Sequence, residues 1–316
     1  MGLKITTLGE ILVDLTQNGV DDNGIISFSA NPGGAPANVA VASSMLGASS
    51  QFIGCIGEDS FGEMLRKTLT QNKVALDGLQ ITDKASTTLA VVTVTPDGER
   101  SFSFLRKPGA DTMIDRQKAI GALEGTGILH FGSVSLAAEN CRGTIIDIVR
   151  AARESGALIS YDPNYRSTLW KSEDEARTWI RSVIPLCDMV KISDEETVLV
   201  TGEVDCREAA AALIRQGVRL VVVTLGAKGA YWSFNGMDGL VDGFRVKVAD
   251  TNGAGDTFFG AFLSRIALRG GLEGLGKEEL DKYVSFANKA ASITSSRSGA
   301  IPAMPTFQEV QEGLDR

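Results

Sequence analysis

The sequence predicts an α/β fold: a doubly wound, mostly parallel central sheet with helices on both faces, plus a small β lid. The first observation is a regular alternation of short apolar runs with helical segments in the second half of the chain. Such runs are typical of parallel strands that are covered on both faces. The second is a hairpin pattern that interrupts this alternation. The third is composition, because 43% of the 316 residues are apolar and 22% are charged, which suits a large core.

The first part of the chain begins with strands and helices in turn. Residues 4–14 predict one strand, residues 24–29 a short edge strand and residues 51–56 a further strand. An alanine-rich helix is expected over residues 31–46. A second helix is expected over residues 59–71, with Asp59 placed to cap its N-terminus.

A predicted hairpin follows. Residues 87–95 alternate and are rich in β-branched side chains, residues 96–98 (Pro-Asp-Gly) signal a turn, and residues 100–105 alternate again. Such an antiparallel insertion is either a lid or a dimer surface, or else an edge hairpin of the main sheet. We favour a lid, formed approximately by residues 17–30 and 85–108. The chain shows no obvious linker, so we expect a single domain over residues 1–316.

The remaining elements complete the sheet and end in helices. Strands are expected at residues 128–131, 158–162, 189–192, 220–225 and 245–249, and helices near residues 139–155, 172–184, 206–216, 254–268, 277–295 and 306–314. In open α/β sheets, ligands bind beyond the carboxyl ends of the strands. We therefore expect the site among the polar residues at these ends, which are Asp14, Asp162, Asn164, Arg166, Ser193, Glu196, Thr224, Gly226 and residues 250–256.

The charge balance argues against polyanionic partners. The net charge is −8, from 31 basic and 39 acidic residues, without a basic block, so neither nucleic acid nor an anionic membrane is expected as a partner. No apolar run approaches the roughly 18 residues that span a bilayer. The N-terminal residues lack a signal-peptide core. Four dispersed cysteines are typical of free thiols. We expect a cytoplasmic enzyme that acts on small molecules.

The stretch from Asp250 to Asp256 predicts an anion site. Two carboxylates bracket a turn of small residues, and an apolar run at helical spacing follows. Unpaired N–H groups and partial positive charge at a helix N-terminus bind phosphate or developing negative charge. An acid inside such a cradle suits a base that removes a proton. The other interpretation is a turn whose Asp caps the helix, but the position after a strand favours the functional one.

Three other motifs carry less weight. Residues 271–278 fit a P-loop pattern, but Glu278 stands where Ser or Thr must bind magnesium, so we interpret them as a loop between helices. No G-x-G-x-x-G fingerprint opens the first βα unit, which argues against a nicotinamide dehydrogenase. The lone histidine, His130, lies in a buried-strand pattern where packing is favoured over catalysis, and no G-x-S-x-G elbow supports a hydrolase.

Two motifs together resemble the signatures of the ribokinase-like (PfkB) carbohydrate kinases. Residues 33–38 (GGAPAN), with Gly54 and residues 57–62 (GEDSFG), resemble the N-terminal signature, and residues 250–256 (DTNGAGD) resemble the C-terminal one. The resemblance covers essentially the whole chain and implies ATP-dependent phosphorylation of a sugar hydroxyl. It implies that Asp256 accepts the hydroxyl proton. The backbone amides of Gly253, Ala254 and Gly255 would form the anion hole, in keeping with a reaction catalysed by positioning and charge stabilisation.

The resemblance also implies a sugar site, which is closest to that of bacterial and plant fructokinases. Residues 162–170 (DPNYRSTLW) carry much of this similarity. The alternative is a 2-keto-3-deoxygluconate kinase, because Arg106 and Arg166 can pair with a carboxylate. The lid lacks the aromatic hydroxyls of such enzymes, since Phe102 and Phe104 stand there, so we favour fructose. A catalytically inactive sugar or nucleotide sensor is a distant alternative. The implied sugar-binding residues are Asp14, Gly33, Gly34, Asn38, Phe104, Arg106, Asn164 and Arg166.

ATP, Mg²⁺ and K⁺ sites follow from the same resemblance. Ser193 to Glu196 resembles the N-x-x-E motif, with Ser193 in place of Asn and Glu196 acting on Mg²⁺ through water. The implied ATP contacts are Ser193, Thr224, Gly226, Gly229 and Asn288. For K⁺, Asp250 matches the side-chain ligand, and the backbone-carbonyl positions are matched by Asn252, Thr294, Arg297 and Gly299, although Ala303 replaces a frequent serine. Relatives often pair their lids, so a homodimer through the β lid is a further expectation.

Overall fold

The chain forms two β-sheets, and helices cover the larger one. The structure, a computed structural model, describes residues 2–94 and 100–315, with side-chain detail outside residues 94 and 100–102. The strands are β1 (Lys4–Leu8), β2 (Leu12–Val20), β3 (Ile26–Gly33), β4 (Ser50–Gly57), β5 (Ala75–Thr82), β6 (Leu89–Val94), β7 (Arg100–Leu105), β8 (Thr126–Gly132), β9 (Leu158–Asp162), β10 (Met189–Ser193), β11 (Leu220–Thr224), β12 (Ala230–Phe234) and β13 (Met237–Val241). The helices are α1 (Ala35–Met45), α2 (Ser60–Gln71), α3 (Arg116–Gly121), α4 (Val134–Ala137), α5 (Glu139–Glu154), α6 (Glu173–Ser182), α7 (Thr197–Thr201), α8 (Cys206–Arg215), α9 (Ala254–Arg269), α10 (Lys277–Ser295) and α11 (Phe307–Leu314).

The larger sheet has nine strands in the order β13-β12-β11-β10-β9-β8-β1-β4-β5. From β11 to β5 neighbouring strands run parallel, and β12 and β13 add an antiparallel edge. One buried cluster joins Leu129 and Val190 of the sheet to Ile145 of α5. Another joins Met189 to Phe259 of α9. Apolar side chains are thus buried against helices on both faces, and the predicted fold class is confirmed.

The smaller sheet has four strands in the order β3-β2-β6-β7. Strands β6 and β7 are the predicted hairpin and pair antiparallel, whereas the predicted turn at residues 96–98 lies outside the described residues. Because this sheet is separate from the larger one, the hairpin is not an edge of the main sheet, and the prediction that it serves as a lid stays a prediction. The predicted lid boundary was wrong at its first segment, since β2 already begins at Leu12 and β3 extends to Gly33.

The prediction of one strand over residues 4–14 is wrong. Strand β1 ends at Leu8, and β2 begins at Leu12 in the other sheet. The chain turns at Gly9, whose φ of +146° is a conformation that residues with side chains rarely adopt. Asp14 therefore lies in the small sheet opposite Asn31, rather than at the end of a central strand.

Other element boundaries also differ from the sequence-based ones. The helix predicted from residue 31 begins at Ala35, because residues 31–33 belong to β3. Residues 245–249 form no strand. Val246 and Val248 alternate as in a strand, but they are 38% and 58% exposed, and residues 245, 247 and 249 are exposed as well, so neither face of this segment is buried. The cap predicted for α2 is present, because the amide of Gly62 donates to Asp59 Oδ1 at 2.8 Å. In the part of the chain that the structure describes, no helix is long and apolar enough to cross a bilayer.

Candidate active site

Two cavities meet at the N-terminus of α9. The first, of about 380 Å³, lies between the small sheet and the ends of the central strands. The second, of about 680 Å³, lies on the other side of the α9 N-terminus and extends to β11 and α10. Thr251 and Gly255 line both cavities. A group that passes from one cavity to the other therefore passes beside the first turn of α9.

The residues that begin α9 are shaped for close approach of a ligand. Gly253 precedes the helix with a left-handed φ of +72°, and a Cβ there would lie 2.8 Å from the Cβ of Ala300. No side chain caps this helix. The first N–H groups of a helix have no acceptor within it, and the helix dipole adds partial positive charge there. The small residues Gly253, Ala254 and Gly255 leave these groups open to an anion.

Asp256 lies in the first turn of α9 at the floor of the first cavity. It is 8% exposed, and its two carboxylate oxygens accept from amide side chains on different elements: Oδ2 from Asn38 Nδ2 at 2.8 Å, and Oδ1 from Asn164 Nδ2 at 3.2 Å. Burial raises the pKa of Asp256, and Asn38 and Lys191 oppose that rise. The carboxylate is thus held towards the cavity and does not cap the helix, which rules out the capping interpretation.

Most of the predicted sugar-binding residues gather around this cavity. Asp14, Gly34, Asn38, Phe104, Asn164 and Arg166 line it. Burial raises the pKa of Asp14 to about 6, and Arg166 opposes the rise. Gly33 does not line the cavity. A Cβ at this position would lie 2.3 Å from Asp14 Oδ2, so the absence of a side chain leaves room for the Asp14 carboxylate.

Arg106 does not reach the cavity, contrary to its predicted sugar contact. Its Nε donates to Asp111 Oδ2 at 2.8 Å and its Nη1 to the carbonyl of Val134 at 3.0 Å. Asp111 also accepts from the hydroxyl of Thr88. Thr88 precedes β6 and Arg106 follows β7, so Asp111 joins the two ends of the lid hairpin. The guanidinium of Arg106 therefore binds the end of the lid hairpin to Asp111 and to the carbonyl of Val134.

Two buried charged residues of the cavity were missed by the sequence interpretation. Glu10 is 2% exposed and accepts from the amide of Ala35 at 3.0 Å, and burial raises its pKa to about 7. Lys191 is 6% exposed and its Nζ lies 2.7 Å from Asp162 Oδ2. Each is a charged residue inside an otherwise apolar strand-like segment, and that pattern is the signal that would have identified them.

The second cavity contains all the predicted ATP contacts. Ser193, Thr224, Gly226, Gly229 and Asn288 line it. Phe244, Val246 and Phe258 add an apolar surface that was not predicted and that suits the face of a nucleobase. The side chain of Asn288 donates to the carbonyls of Val241 and Asp242, both at 3.1 Å, and so fixes the end of β13 beside the cavity.

Glu196, the residue predicted to act on magnesium, accepts hydrogen bonds from neighbouring residues of the protein. Glu196 Oε2 accepts from the amide and the hydroxyl of Ser193, at 2.9 and 3.0 Å, and Oε1 accepts from the amide of Tyr165 at 2.7 Å. Residues 2–94 and 100–315 contain no group of three or more His, Cys, Asp or Glu residues that could hold a metal ion. Both carboxylate oxygens of Glu196 thus already accept hydrogen bonds from the protein.

Some of the predicted potassium residues lie together. The carboxylate of Asp250 accepts from the amides of Asn252 and Gly299, at 3.0 and 3.2 Å. These bonds join the loop before α9 to the segment that follows α10. Thr294 lies in the last turn of α10, where its hydroxyl is 3.0 Å from that of Thr257. The guanidinium of Arg297 pairs with Glu309. The role predicted for Arg297 in potassium binding concerns its backbone carbonyl, which this ion pair does not involve.

Two sequence features have no part in the site. His130 is 1% exposed, lies 3.1 Å from the hydroxyl of Ser160 and packs edge-on against Phe259, which agrees with its packing role. Burial lowers its pKa to about 3, so the ring is neutral. Of residues 271–278, which were interpreted as a loop, residues 271–276 connect α9 to α10, whereas residues 277 and 278 already belong to α10.

Comparisons with known proteins agree with this arrangement. The profile of the pfkB family carbohydrate kinases matches residues 3–307. Probable fructokinase-4 of Arabidopsis thaliana is 42% identical over 316 residues, which cover 98% of this chain and 96% of that protein. The structure of a fructokinase with bound ATP from Xylella fastidiosa has a TM-score of 0.88 at 30% identity, covering 100% of this chain and 99% of that one.

A third relative is a double mutant of the Vibrio cholerae O395 fructokinase, in a fructose-, ADP- and potassium-bound form. It has a TM-score of 0.87 at 32% identity and covers 99% of this chain and 98% of that one. The family profile spans nearly all of the chain. The predicted family is therefore confirmed, and the chain belongs to the PfkB family of carbohydrate kinases.

Proposed function

We propose that the protein is an ATP-dependent fructokinase that converts D-fructose and ATP to fructose 6-phosphate and ADP. The observation that carries the proposal is the pair of cavities that share Gly255 at the start of α9, with Asp256 on the floor of one. The sugar would occupy the first cavity and ATP the second. Fructokinase relatives at 42% and 32% identity over nearly the whole chain support the choice of sugar.

In this proposal, each group at the α9 N-terminus has one task. The Asp256 carboxylate takes the proton of the sugar hydroxyl, whose oxygen forms a bond to the γ-phosphorus while the bond to the leaving ADP oxygen breaks. The amides of Gly253, Ala254 and Gly255 stabilise the charge on the transferring group. A positioned carboxylate base contributes roughly 10²–10⁴-fold, and a preorganised amide donor contributes a similar factor.

The lining of the first cavity favours a neutral polyol over an acid sugar. Asp14, Asn38 and Asn164 line it with carboxylate and amide groups, which bind hydroxyls in pairs. A carboxylate substrate requires paired cations. Arg166 lines the cavity, but the guanidinium of Arg106 is held by Asp111. This observation favours fructose over 2-keto-3-deoxygluconate.

The metal requirements are a second part of the proposal. Mg²⁺ bound to the nucleotide would neutralise phosphate charge, with Glu196 acting through water. K⁺ would bind beside Asp250, as the potassium-bound form of the Vibrio cholerae relative suggests. Replacing potassium chloride by tetramethylammonium chloride at saturating Mg²⁺ is expected to lower kcat, and Asp250→Asn to abolish that response. Equal activity in the two salts would show that the reaction does not require K⁺.

A homodimeric assembly and a cytoplasmic location complete the proposal. A cytoplasmic location agrees with a chain whose described helices include none that could cross a bilayer. A homodimer through the lid agrees with the apolar side chains that the lid exposes, which are Val20, Ile25, Ile26, Phe28 and Leu105. Neither partner nor location alters the chemistry of the two cavities.

A substrate panel tests the assignment of the sugar. The purified protein would be assayed with ATP and Mg²⁺ on fructose, ribose, 2-keto-3-deoxygluconate and adenosine, with Asp256→Asn as the background. We expect fructose to give the highest kcat/KM. A higher value for 2-keto-3-deoxygluconate would replace fructose, and no turnover on any sugar would favour a sensor.

A further inference from the structure

Lys191 is a buried charge that none of the predicted roles uses. It is the third residue of β10, between Val190 and Ile192, and is 6% exposed. A lysine is rarely buried to this extent unless a partner compensates its charge. The partner here is Asp162, at the end of β9, whose Oδ2 lies 2.7 Å from Nζ. Asp162 itself is 2% exposed, so the pair is enclosed by protein.

The ammonium group of Lys191 lies where the two cavities meet. Lys191 lines the first cavity together with Asp256. Its Nζ lies 3.2 Å from the position that a Cβ on Gly255 would occupy, and Gly255 lines both cavities. Any side chain at position 255 would therefore press against this ammonium. A phosphoryl group that crosses at Gly255 passes next to the positive charge.

The surrounding charges keep this lysine protonated. Burial by itself lowers the pKa of Lys191, but Asp162, Glu196 and Asp256 together raise it above its usual value. In turn, Lys191 and Arg166 lower the pKa of Asp256, against burial and Asp162. Asp14 also faces Asp256, and His130, which faces Lys191, is neutral. Lys191 is thus the cation that is enclosed with the base.

We propose that Lys191 is a further catalytic residue: its ammonium group, held by Asp162 and lining the same cavity as Asp256, contacts the transferring phosphoryl group. The inference rests on the proposed kinase reaction and extends it. Lys191 keeps its proton throughout, while the hydroxyl proton moves to Asp256 and the electron pair of the broken P–O bond leaves with ADP. A fixed cation in an enclosed site stabilises such developing charge more than one in water does.

The competing interpretation is that Lys191 only neutralises Asp162. Three variants separate the two roles: Lys191→Met, Lys191→Arg and the double variant Asp162→Asn/Lys191→Met. The double variant removes both buried charges together, so it leaves no unpaired ion and remains informative if Lys191→Met fails to fold. Folding of each is checked by circular dichroism, and ATP binding by calorimetry. The assays use fructose, or the best sugar of the panel if fructose is not the substrate.

We expect kcat to fall about 10²–10³-fold in Lys191→Met, with a smaller change in the KM for sugar, and Lys191→Arg to recover at least part of that loss. The acid limb of the kcat/KM profile should move to higher pH in Lys191→Met, because the loss of a cation raises the pKa of Asp256. In the double variant, kcat should stay low while the acid limb returns towards the wild-type position, since Asp162 no longer raises that pKa.

A double variant with a kcat within about threefold of wild type would overturn the proposal, because a mere partner of Asp162 is dispensable once Asp162 is neutral. A folded Lys191→Met protein with wild-type kcat and an unmoved acid limb would also overturn the proposal. A wild-type protein that phosphorylates no sugar would instead refute the proposed function, so the two failures are distinguishable.

Discussion

At the scale of single residues, burial determines the chemistry of the first cavity. Asp256, Asp14 and Glu10 all have raised pKa values, and in each case burial is the largest cause. A carboxylate that is poorly solvated is a stronger base than one in water, and hydrogen bonds from Asn38 and Asn164 aim that base at the cavity. The site thus obtains basicity and direction from different neighbours.

Arg166→Ala is expected to weaken use of the sugar much more than use of ATP. Arg166 lines the first cavity only, and its Nη1 donates to the carbonyl of Tyr165 at 3.1 Å, which positions the guanidinium. Loss of a charged hydrogen bond should lower kcat/KM for fructose about tenfold or more. Steady-state kinetics with each substrate varied in turn measures the effect, and Arg116→Ala is the matched control, since Arg116 pairs with Asp147 at the surface. Equal changes in both KM values would remove Arg166 from the sugar site.

Glu10→Gln should remove a pH dependence of stability. The pKa of Glu10 in the folded protein, about 7, lies above the ordinary glutamate value of 4.5, so the folded state binds this proton more tightly. The stability that Glu10 contributes is fully present below pH 4.5 and is lost as pH rises through 7. Relative to wild type, the variant should therefore gain up to about 3 kcal/mol in unfolding free energy between pH 4.5 and pH 8. Urea unfolding of both proteins across this range measures the difference, and a constant difference would contradict the raised pKa.

At the scale of elements, the strands of the larger sheet that are buried on both faces were predictable and its two edge strands were not. The apolar runs of β8 to β11 are recognisable in the sequence because all but the first or last one or two positions of each strand are buried. Strand β5 contains Asp77 and Gly78, and β13 contains Asp238 and Gly239, residue types that are depleted in strands. Both lie at sheet edges, where one side has no neighbour to select apolar side chains. Local patterns therefore fail where tertiary pairing decides the structure.

The lid makes a prediction about assembly. Phe28 and Leu105 of the small sheet and Ile25, which lies between β2 and β3, are 40%, 60% and 64% exposed, and large exposed apolar side chains are a feature of protein interfaces. We expect the protein to sediment as a dimer and Phe28→Asp to shift it to a monomer without unfolding it. Val204→Asp is the control, since Val204 is 83% exposed and lies outside the lid. A wild-type protein that sediments as a monomer at all concentrations would contradict the lid interface.

At the scale of the whole molecule, the sequence reveals the motifs but not their contacts. Asp256 bonds to Asn38 and Asn164, which are 218 and 92 residues away in the chain. Those contacts depend on the strand order and on the packing of α1 against α9, which no local pattern encodes. The same limit explains Arg106. Its residue type suggested a sugar contact, but only the structure places Asp111 between it and Thr88.

The central claim is that Asp256 is the base of a sugar kinase, and one comparison tests it most directly. Fructose-dependent ADP formation would be measured for wild type and Asp256→Asn at saturating ATP and Mg²⁺, with ATP affinity measured by calorimetry. We predict that wild type turns over fructose, and that the variant loses roughly 10²–10⁴-fold or more in kcat while it binds ATP with wild-type affinity. Equal turnover by the variant would contradict the assignment of the base.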